Sequence, residues 1–344
     1  MAKILVTGGC GYIGSHTIVD LVENGYEVIC ADNLSHSSTQ RLDGIEAITG
    51  TRIKNYAINL ADKAATEVIF QENPDLAGII HFAAFMSVPE SVQQPLRYFE
   101  NNLNSLINVL HYAEKLGVKN FVFSSSCSVY GQPDELPVTE QTPRKEAESP
   151  YARTKQIGED IIRDFIIAQP EHRATLLRYF NPIGAHPSGQ LGEYATFKPN
   201  SLAPLITDTA LGKRESLNVY GNDYPTKDGT CVRDYIHVSD IGHAHTLAIK
   251  RLLEDKAKEA VEVFNLGSGE GSTVVEVIEA FEESTGVKLN WQFAPRRPGD
   301  VIAVYADRNK ATQELGWNVQ YSLHDMMQTA WKWALRLSNE LGGR

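Results

Sequence analysis

The sequence predicts an α/β protein: a parallel sheet wound on both faces by helices, followed by a smaller C-terminal α/β lobe. Three observations predict it. The opening stretch runs strand, glycine turn, helix, strand, acid. Apolar strand patterns and helical patterns then keep alternating through the first half. After Asn181-Pro182 the texture changes to long segments rich in Gly, Pro and polar residues, such as 186–200 and 221–229. Repeated βα units imply a doubly wound parallel sheet. Long irregular segments are typical of loops that cover a ligand.

Lys3-Ile4-Leu5-Val6 is a short apolar strand, and Thr7 to Gly14 is a turn with glycines at 8, 11 and 14. Residues 15–24 have helical spacing, with Ile18, Leu21 and Val22 on one face, and Gly25-Tyr26 ends that helix. Residues 27–31 form a second strand that delivers Asp32. Glycines let backbone N–H groups approach a pyrophosphate, and a helix N-terminus adds partial positive charge. An acid about 18 residues beyond the last glycine suits the hydroxyls of an adenosine ribose. The order of these parts reads as a Rossmann-type dinucleotide site, and Asp32 favours NAD over NADP because a carboxylate repels a 2′-phosphate.

Further along, residues 78–84 read as a buried strand ending in small residues, which would let a cofactor come close. Residues 101–116 read as a helix, 120–123 as a strand followed by Ser124-Ser125-Ser126, 151–168 as a long helix and 174–178 as a strand. The stripe Leu323, Met326, Met327, Ala330, Trp331 and Ala334 reads as core packing of a terminal helix. Ligands on such sheets sit at the carboxyl ends of the strands, where the polar motifs fall.

The chain has 344 residues, enough for two lobes, and a formal net charge of −11, which disfavours nucleic-acid or anionic membrane surfaces. No apolar run reaches the roughly 18 residues of a membrane span. No leader is visible, since the chain enters its first strand at once. Cys10, Cys30, Cys127 and Cys231 form no CxxC, so neither a metal site nor a disulfide framework is expected. A reduced, cytoplasmic enzyme is the expectation.

Tyr151-Ala152-Arg153-Thr154-Lys155 places a tyrosine and a lysine on one helical face. A free phenol has a pKa of about 10. A neighbouring ammonium favours the phenolate, so Lys155 is expected to lower the Tyr151 pKa. Ser126 could hydrogen-bond a reacting hydroxyl and pass its proton towards the phenol.

At these residues the chain resembles the extended short-chain dehydrogenase/reductase family, and within it the UDP-glucose (UDP-galactose) 4-epimerases. The matching text is Thr7 to His16, Ser124-Ser125-Ser126-Cys127-Ser128-Val129-Tyr130-Gly131, Ser149-Pro150-Tyr151, Arg178-Tyr179-Phe180-Asn181-Pro182, Gly221-Asn222-Asp223-Tyr224-Pro225, Val232-Arg233-Asp234-Tyr235 and Ala294-Pro295-Arg296-Arg297-Pro298-Gly299-Asp300. It covers nearly the whole chain. It implies that the phenolate of Tyr151 takes the sugar O4 proton while hydride moves from C4 to NAD and returns to the opposite face of a rotated 4-keto sugar. The nucleotide must be gripped hard and the hexose loosely.

The resemblance carries over Gly8, Gly11, Tyr12, Ile13, Gly14, Asp32, Asn33, Asn59, Leu60, Phe82, Ala83, Asn101, Ser124, Tyr151, Lys155 and Tyr179 to NAD. It carries over Ser126, Tyr151, Phe180, Asn181, Asn200, Ser201, Leu202, Asn218, Tyr220, Arg233, Arg297, Asp300 and Val304 to the UDP-sugar. Arg233 and Arg297 suit the diphosphate, since guanidinium forks match its oxygens. A dinucleotide domain over 1–180 and a UDP-sugar domain over 181–344 are implied, with segments near 230–250 returning to the first. A homodimer is implied, with the helices 101–116 and 151–168 at its interface.

Three positions depart from the family pattern. Asn59 stands for an adenine-binding acid, Met86 for a lysine near the cofactor and Ser201 for an asparagine near the sugar. At Val304 the family often has a tyrosine that crowds the sugar C2 substituent, so UDP-GlcNAc and UDP-GalNAc become candidate substrates. A 4,6-dehydratase needs an acid–base pair after the catalytic hydroxyl, where this chain has Cys127-Ser128. A UDP-pentose or UDP-uronate 4-epimerase, or an NAD-binding sensor without turnover, remain alternatives; intact Ser126, Tyr151 and Lys155 argue against the last.

Overall fold

The computed structural model describes residues 1–194, 201–297 and 301–342. In chain order the strands are β1 (Lys3–Thr7), β2 (Glu27–Ala31), β3 (Lys54–Tyr56), β4 (Leu76–His81), β5 (Asn120–Ser124), β6 (Arg173–Tyr179), β7 (Asn181–Ile183), β8 (Leu217–Tyr220), β9 (Val232–Arg233), β10 (Tyr235–His237), β11 (Val261–Leu266), β12 (Ser272–Thr273), β13 (Trp291–Ala294) and β14 (Ala303–Val304). The helices are α1 (Tyr12–Glu23), α2 (Gln40–Thr49), α3 (Lys63–Glu72), α4 (Val88–Gln93), α5 (Pro95–Leu116), α6 (Pro150–Ala168), α7 (Leu202–Ala210), α8 (Val238–Leu253), α9 (Val274–Thr285) and α10 (Leu323–Gly342).

Seven strands pair in parallel in the order β11-β6-β5-β4-β1-β2-β3. Chain order reverses between β1 and β4, and a crevice opens at the carboxyl ends of strands where that happens. Both faces are buried, so the strands are continuous apolar runs. One face carries α1, α2 and α8 through Ile18, Leu42, Ile45, Ile241 and Ile249. The other carries α3, α5 and α6 through Phe70, Leu106, Val109 and Ile162. A separate core gathers α7, α9 and α10 with β8 and β10 around Ile206, Leu217, Tyr235, Phe281 and Met327. Small sheets of two or three strands (β10-β7, β12-β9-β14 and β13-β8) lie beside it. The segment that returns to the large sheet is longer than 230–250, because α8 and β11 both pack there.

Several boundaries differ from the sequence reading, each for a local reason. α1 begins at Tyr12 rather than 15, with Gly11 as N-cap, so Gly14 lies inside the first turn. There its missing Cβ matters: one would sit 2.4 Å from the Gly8 oxygen. α5 begins at Pro95 rather than 101, because proline fits the first helical position and Tyr98 is fully buried although Leu96 is not. β4 stops at His81, and residues 82–84 cross the β1 turn instead: Phe82 N–H donates to the Thr7 carbonyl at 3.0 Å, and Ala83 N–H to Thr7 Oγ1 at 3.3 Å.

Candidate active site

The crevice begins at the end of β1. Gly8 has φ +68, and a Cβ there would lie 2.8 Å from the Ala83 nitrogen. Only glycine fits that conformation and that approach. No side chain caps the first turn of α1, so its N–H groups are offered to a ligand. Asp32 stands at the end of β2. Its carboxylate is aimed by the N–H groups of Cys10 (3.1 Å) and Leu34 (2.9 Å) and by Ser37 Oγ (2.7 Å). Ser37 escaped the sequence reading, since one serine in a polar loop carries no pattern. Leu60 is buried below this wall. Asn33 and Asn59 are exposed, and each uses its amide oxygen to accept a backbone N–H two residues on, at 3.0 Å. Asn101 donates to Asn102 Oδ1 at 3.0 Å. Phe82 packs on His245 with ring centroids 4.5 Å apart.

The reacting groups lie where β5, β6 and α6 meet. Ser149 caps α6, accepting the Ala152 N–H, and Pro150 fills the first turn. That start places Tyr151 and Lys155 one turn apart. Lys155 is buried and donates to the Ser124 carbonyl at 2.6 Å. Its ammonium lies 4.9 Å from the Phe123 ring centroid and 5.9 Å from that of Tyr151. Ser124 Oγ and Tyr179 OH share a 2.6 Å hydrogen bond. Ser126 Oγ accepts the Ser128 N–H at 3.2 Å, and Ser126 is the neighbour that pulls the Tyr151 phenol towards ionisation.

The protein's own surroundings push the Tyr151 phenol up rather than down. Burial dominates and raises the phenol, the nearby Tyr179 adds to that, and the group that pulls it down is Ser126. Lys155 is itself lowered to about 8 by burial, against which Glu159 acts. His81 falls to about 3, by burial first and Lys155 second. His245 falls to about 4 by burial, with the Ile241 carbonyl holding it up and Lys155 adding to the fall. Both are neutral at physiological pH.

Cys127, unassigned by the sequence reading, belongs to this site. Burial pushes its thiol up to about 12, and the charges of Asp234 and Arg233 reach it. It packs in a cluster with Phe180 and Val304. Asp234, fully buried, is structural: it accepts from the Ser268 and Ala306 N–H groups at 2.6 and 3.0 Å.

On the far side of the crevice β14 lies parallel to β9, which sets Val304 opposite Arg233. Arg233 donates to the Val232 and Val301 carbonyls at 2.9 and 2.6 Å. Both Arg233 and Arg297 act on the Tyr235 phenol, so the two cations share one neighbourhood. Arg297 stacks 4.7 Å over the Tyr220 ring. Asn218 sits two residues before Tyr220 on β8 and accepts from Gln292 at 3.1 Å. Asn181 opens β7, Ser201 precedes α7 and Leu202 begins it. Asn200 and Asp300 lie outside the described residues. Among the described residues no group of three His, Cys, Asp or Glu could hold a metal ion, and no helix is long and apolar enough to cross a membrane.

Known proteins share this arrangement. A family model described as GDP-mannose 4,6 dehydratase matches residues 5–330. A protein of Bacillus subtilis (strain 168) named UDP-glucose 4-epimerase is 47% identical over 330 residues, covering 96% of each chain. The crystal structure of a UDP-glucose-4-epimerase from Stenotrophomonas maltophila, with bound NAD and formylated UDP-arabinopyranose, superposes with a TM-score of 0.95 at 40% identity, covering 99% of this chain and 100% of that one. A Bifidobacterium longum UDP-glucose 4-epimerase in complex with NAD+ and UDP gives 0.92 at 44% identity, covering 98% and 99%.

Proposed function

Because the chain belongs to the extended short-chain dehydrogenase/reductase family and matches its UDP-glucose 4-epimerases over nearly its full length, we propose the following assignment of its residues to the reaction. The chain is an NAD-dependent 4-epimerase that interconverts UDP-glucose and UDP-galactose. The family model's dehydratase description does not extend to the chemistry here, since Cys127-Ser128 follow Ser126 and supply no acid–base pair.

The observation that carries the assignment is the convergence of Ser126, Tyr151 and Lys155 at the carboxyl end of β5, separated from β1 and its glycine turn by β4 alone. The residues fit NAD: the uncapped α1 N-terminus and close-packed Gly8 suit the pyrophosphate, Asp32 the adenosine ribose and Lys155 the nicotinamide ribose. Phe82, Ala83, Asn101 and Tyr179 line the rest. When bound, NAD supplies a reversible hydride acceptor at the sugar C4 and a positive charge beside the phenol.

Ser126 holds the O4 hydroxyl, and Tyr151 takes and returns its proton through that contact. Burial holds the neutral phenol, and a cation placed beside it favours the phenolate. Arg233 and Arg297 grip the diphosphate, and Tyr220, Leu202 and Asn218 hold the uridine. Phe180, Cys127 and Val304 wall the hexose without many hydrogen bonds, leaving it free to turn. Residues 1–180 act mainly on NAD and 181–344 on the UDP-sugar.

A second substrate class follows from Val304. The β-branched side chain packs with Cys127 and Phe180 and is smaller than a tyrosine, which favours a substrate with an N-acetyl group at C2. UDP-pentoses are a further candidate, in keeping with the formylated UDP-arabinopyranose held by the Stenotrophomonas enzyme. The protein works as a cytoplasmic homodimer. Exposed Leu96, Ile107 and Leu116 on α5 and Ile167 on α6 supply the apolar surface for that contact.

Purified protein given UDP-galactose without added NAD is expected to reach the UDP-glucose equilibrium. Tyr151→Phe is expected to lose about 10²- to 10⁴-fold in kcat with bound NAD unchanged. A Tyr151→Phe protein as fast as the parent would remove the assignment. UDP-GalNAc is expected to turn over in the parent and to be lost selectively in Val304→Tyr. No N-acetyl turnover in the parent refutes the wider substrate range.

A further inference from the structure

Behind the reacting groups lies a buried polar network that the chemistry above does not use. Glu159 is fully buried on α6, one turn beyond Lys155 and on the same face. Its Oε1 accepts from Ser125 Oγ at 2.6 Å and from Arg178 Nε at 2.8 Å, and its Oε2 from Arg178 Nη2 at 2.5 Å. Arg144 stands 3.7 Å from the same oxygen. Arg178 Nη1 donates to Tyr130 OH at 2.9 Å, and Tyr130 donates to Asn265 Oδ1 at 2.7 Å. The network therefore ties α6 to β5, β6 and β11.

Ser125 is the middle of three serines, and each makes a different contact. Lys155 binds the Ser124 carbonyl, Glu159 binds the Ser125 hydroxyl, and Ser126 turns to Tyr151. Two residues one helical turn apart on α6 thus pin the strand end that presents the serine to the tyrosine of that same helix. A buried ion pair contributes little net stability over apolar residues of equal volume. Its cost makes sense where it fixes a geometry.

We propose that Glu159 is a positioning residue of the epimerase reaction: through Ser125 and Arg178 it holds the strand end that carries Ser126 against α6, the helix that carries Tyr151. This rests on the reading of Ser126, Tyr151 and Lys155 as the reacting groups. The groups facing Lys155 are Tyr151 and Glu159 on α6, the Phe123 ring and Ser124 carbonyl on β5, His81 on β4 and His245 on α8. Both histidines are neutral, so among the described residues Glu159 is the anion that opposes the burial of that amine. Arg178 and Arg144 share its charge, and Arg178 is held above the usual guanidinium range by Glu159 against burial.

The test uses the NAD-loaded enzyme and two variants. Glu159→Gln keeps the shape and removes the charge. It is expected to lower kcat about 10- to 100-fold, since small misplacements of reacting groups cost that much. KM for UDP-galactose should stay within about twofold and bound NAD unchanged at pH values below the alkaline limb, where Lys155 is still an ammonium. The alkaline limb of kcat, where Lys155 loses its proton, should move about one pH unit lower. Ser125→Ala cuts only the link to the strand end and should cost about three- to tenfold in kcat with the limb in place.

A folded, NAD-loaded Glu159→Gln protein with the parent's kcat and alkaline limb overturns the proposal. Should that variant not fold, parental kcat in Ser125→Ala overturns it. Failure of the underlying site reading shows separately, as full activity in Tyr151→Phe.

Discussion

On the side of Gly8 the crevice wall is backbone. Its shape comes from a φ of +68 at Gly8, from Gly14 packed on the Gly8 oxygen and from an uncapped helix start. On the side of Arg297 the wall is side chains, carried by strands of two to four residues that come from distant parts of the chain. The first wall suits a cofactor that stays; backbone donors cost no rotamer entropy and are fixed before the ligand arrives. The second suits a substrate that must enter, turn and leave.

The largest expected effect breaks the first wall. In Gly14→Ala the new Cβ would sit 2.4 Å from a carbonyl oxygen that has little room to move. Overpacking of this kind costs about 1–3 kcal/mol or more. The purified variant should carry little or no NAD, and its activity should fall with NAD occupancy. Full NAD occupancy in Gly14→Ala would show that the turn is softer than a backbone wall allows.

The second wall should fail differently. Arg297→Met removes a charge-assisted contact worth about 1.5–3 kcal/mol, or about 10- to 150-fold. That loss should appear in KM for UDP-galactose and in the affinity for UDP, with kcat and bound NAD held. A fall in NAD occupancy instead would mean that the two walls are not separable.

The same contrast explains what was legible in the sequence. Gly8, Gly14 and Asp32 stand out because backbone geometry is written in residue type and spacing over a short stretch. Strand β2 was bounded correctly from its apolar run alone. Arg233, Arg297 and Val304 carry no periodicity; they meet only after β9 and β14 pair across some seventy residues of chain, and resemblance was the one route to them. Ser37, Cys127 and Glu159 had no local signal, since their roles depend on contacts made from other elements. The weight of burial on Tyr151 is illegible for a related reason: i,i+4 spacing shows that a lysine is near, whereas burial depends on everything packed around the ring.

The smallest effect concerns the seam between the two walls. His16 on α1 faces His186 across it, with ring centroids 6.4 Å apart, and His237 stacks on Tyr321 at 4.0 Å. Burial lowers all three imidazoles, His237 to about 3, as it lowers His81 to about 3 and His245 to about 4 deeper in the sheet. The unfolded chain binds these protons near pH 6.5. Their contribution to stability is therefore complete above that pH and is lost as pH falls below it, because the folded state refuses protons that the unfolded state accepts. Raised groups act in the opposite sense, among them Asp234 and Glu140 by burial and His243 through Asp20. Burial raises Glu193 to about 7 and Asp240 to about 6, so the folded state takes their protons first and gains relative stability as pH falls towards 5. The lowered imidazoles, His36 and His172 among them, include several pushed far down, and the net sign expected is destabilisation on acidification. The thermal midpoint should drop by several degrees between pH 7 and pH 5, given about 2–4 °C per kcal/mol for a chain of this order of size. A midpoint that stays level or rises over that interval would mean that the raised groups outweigh the lowered imidazoles and that the seam is not held by neutral rings.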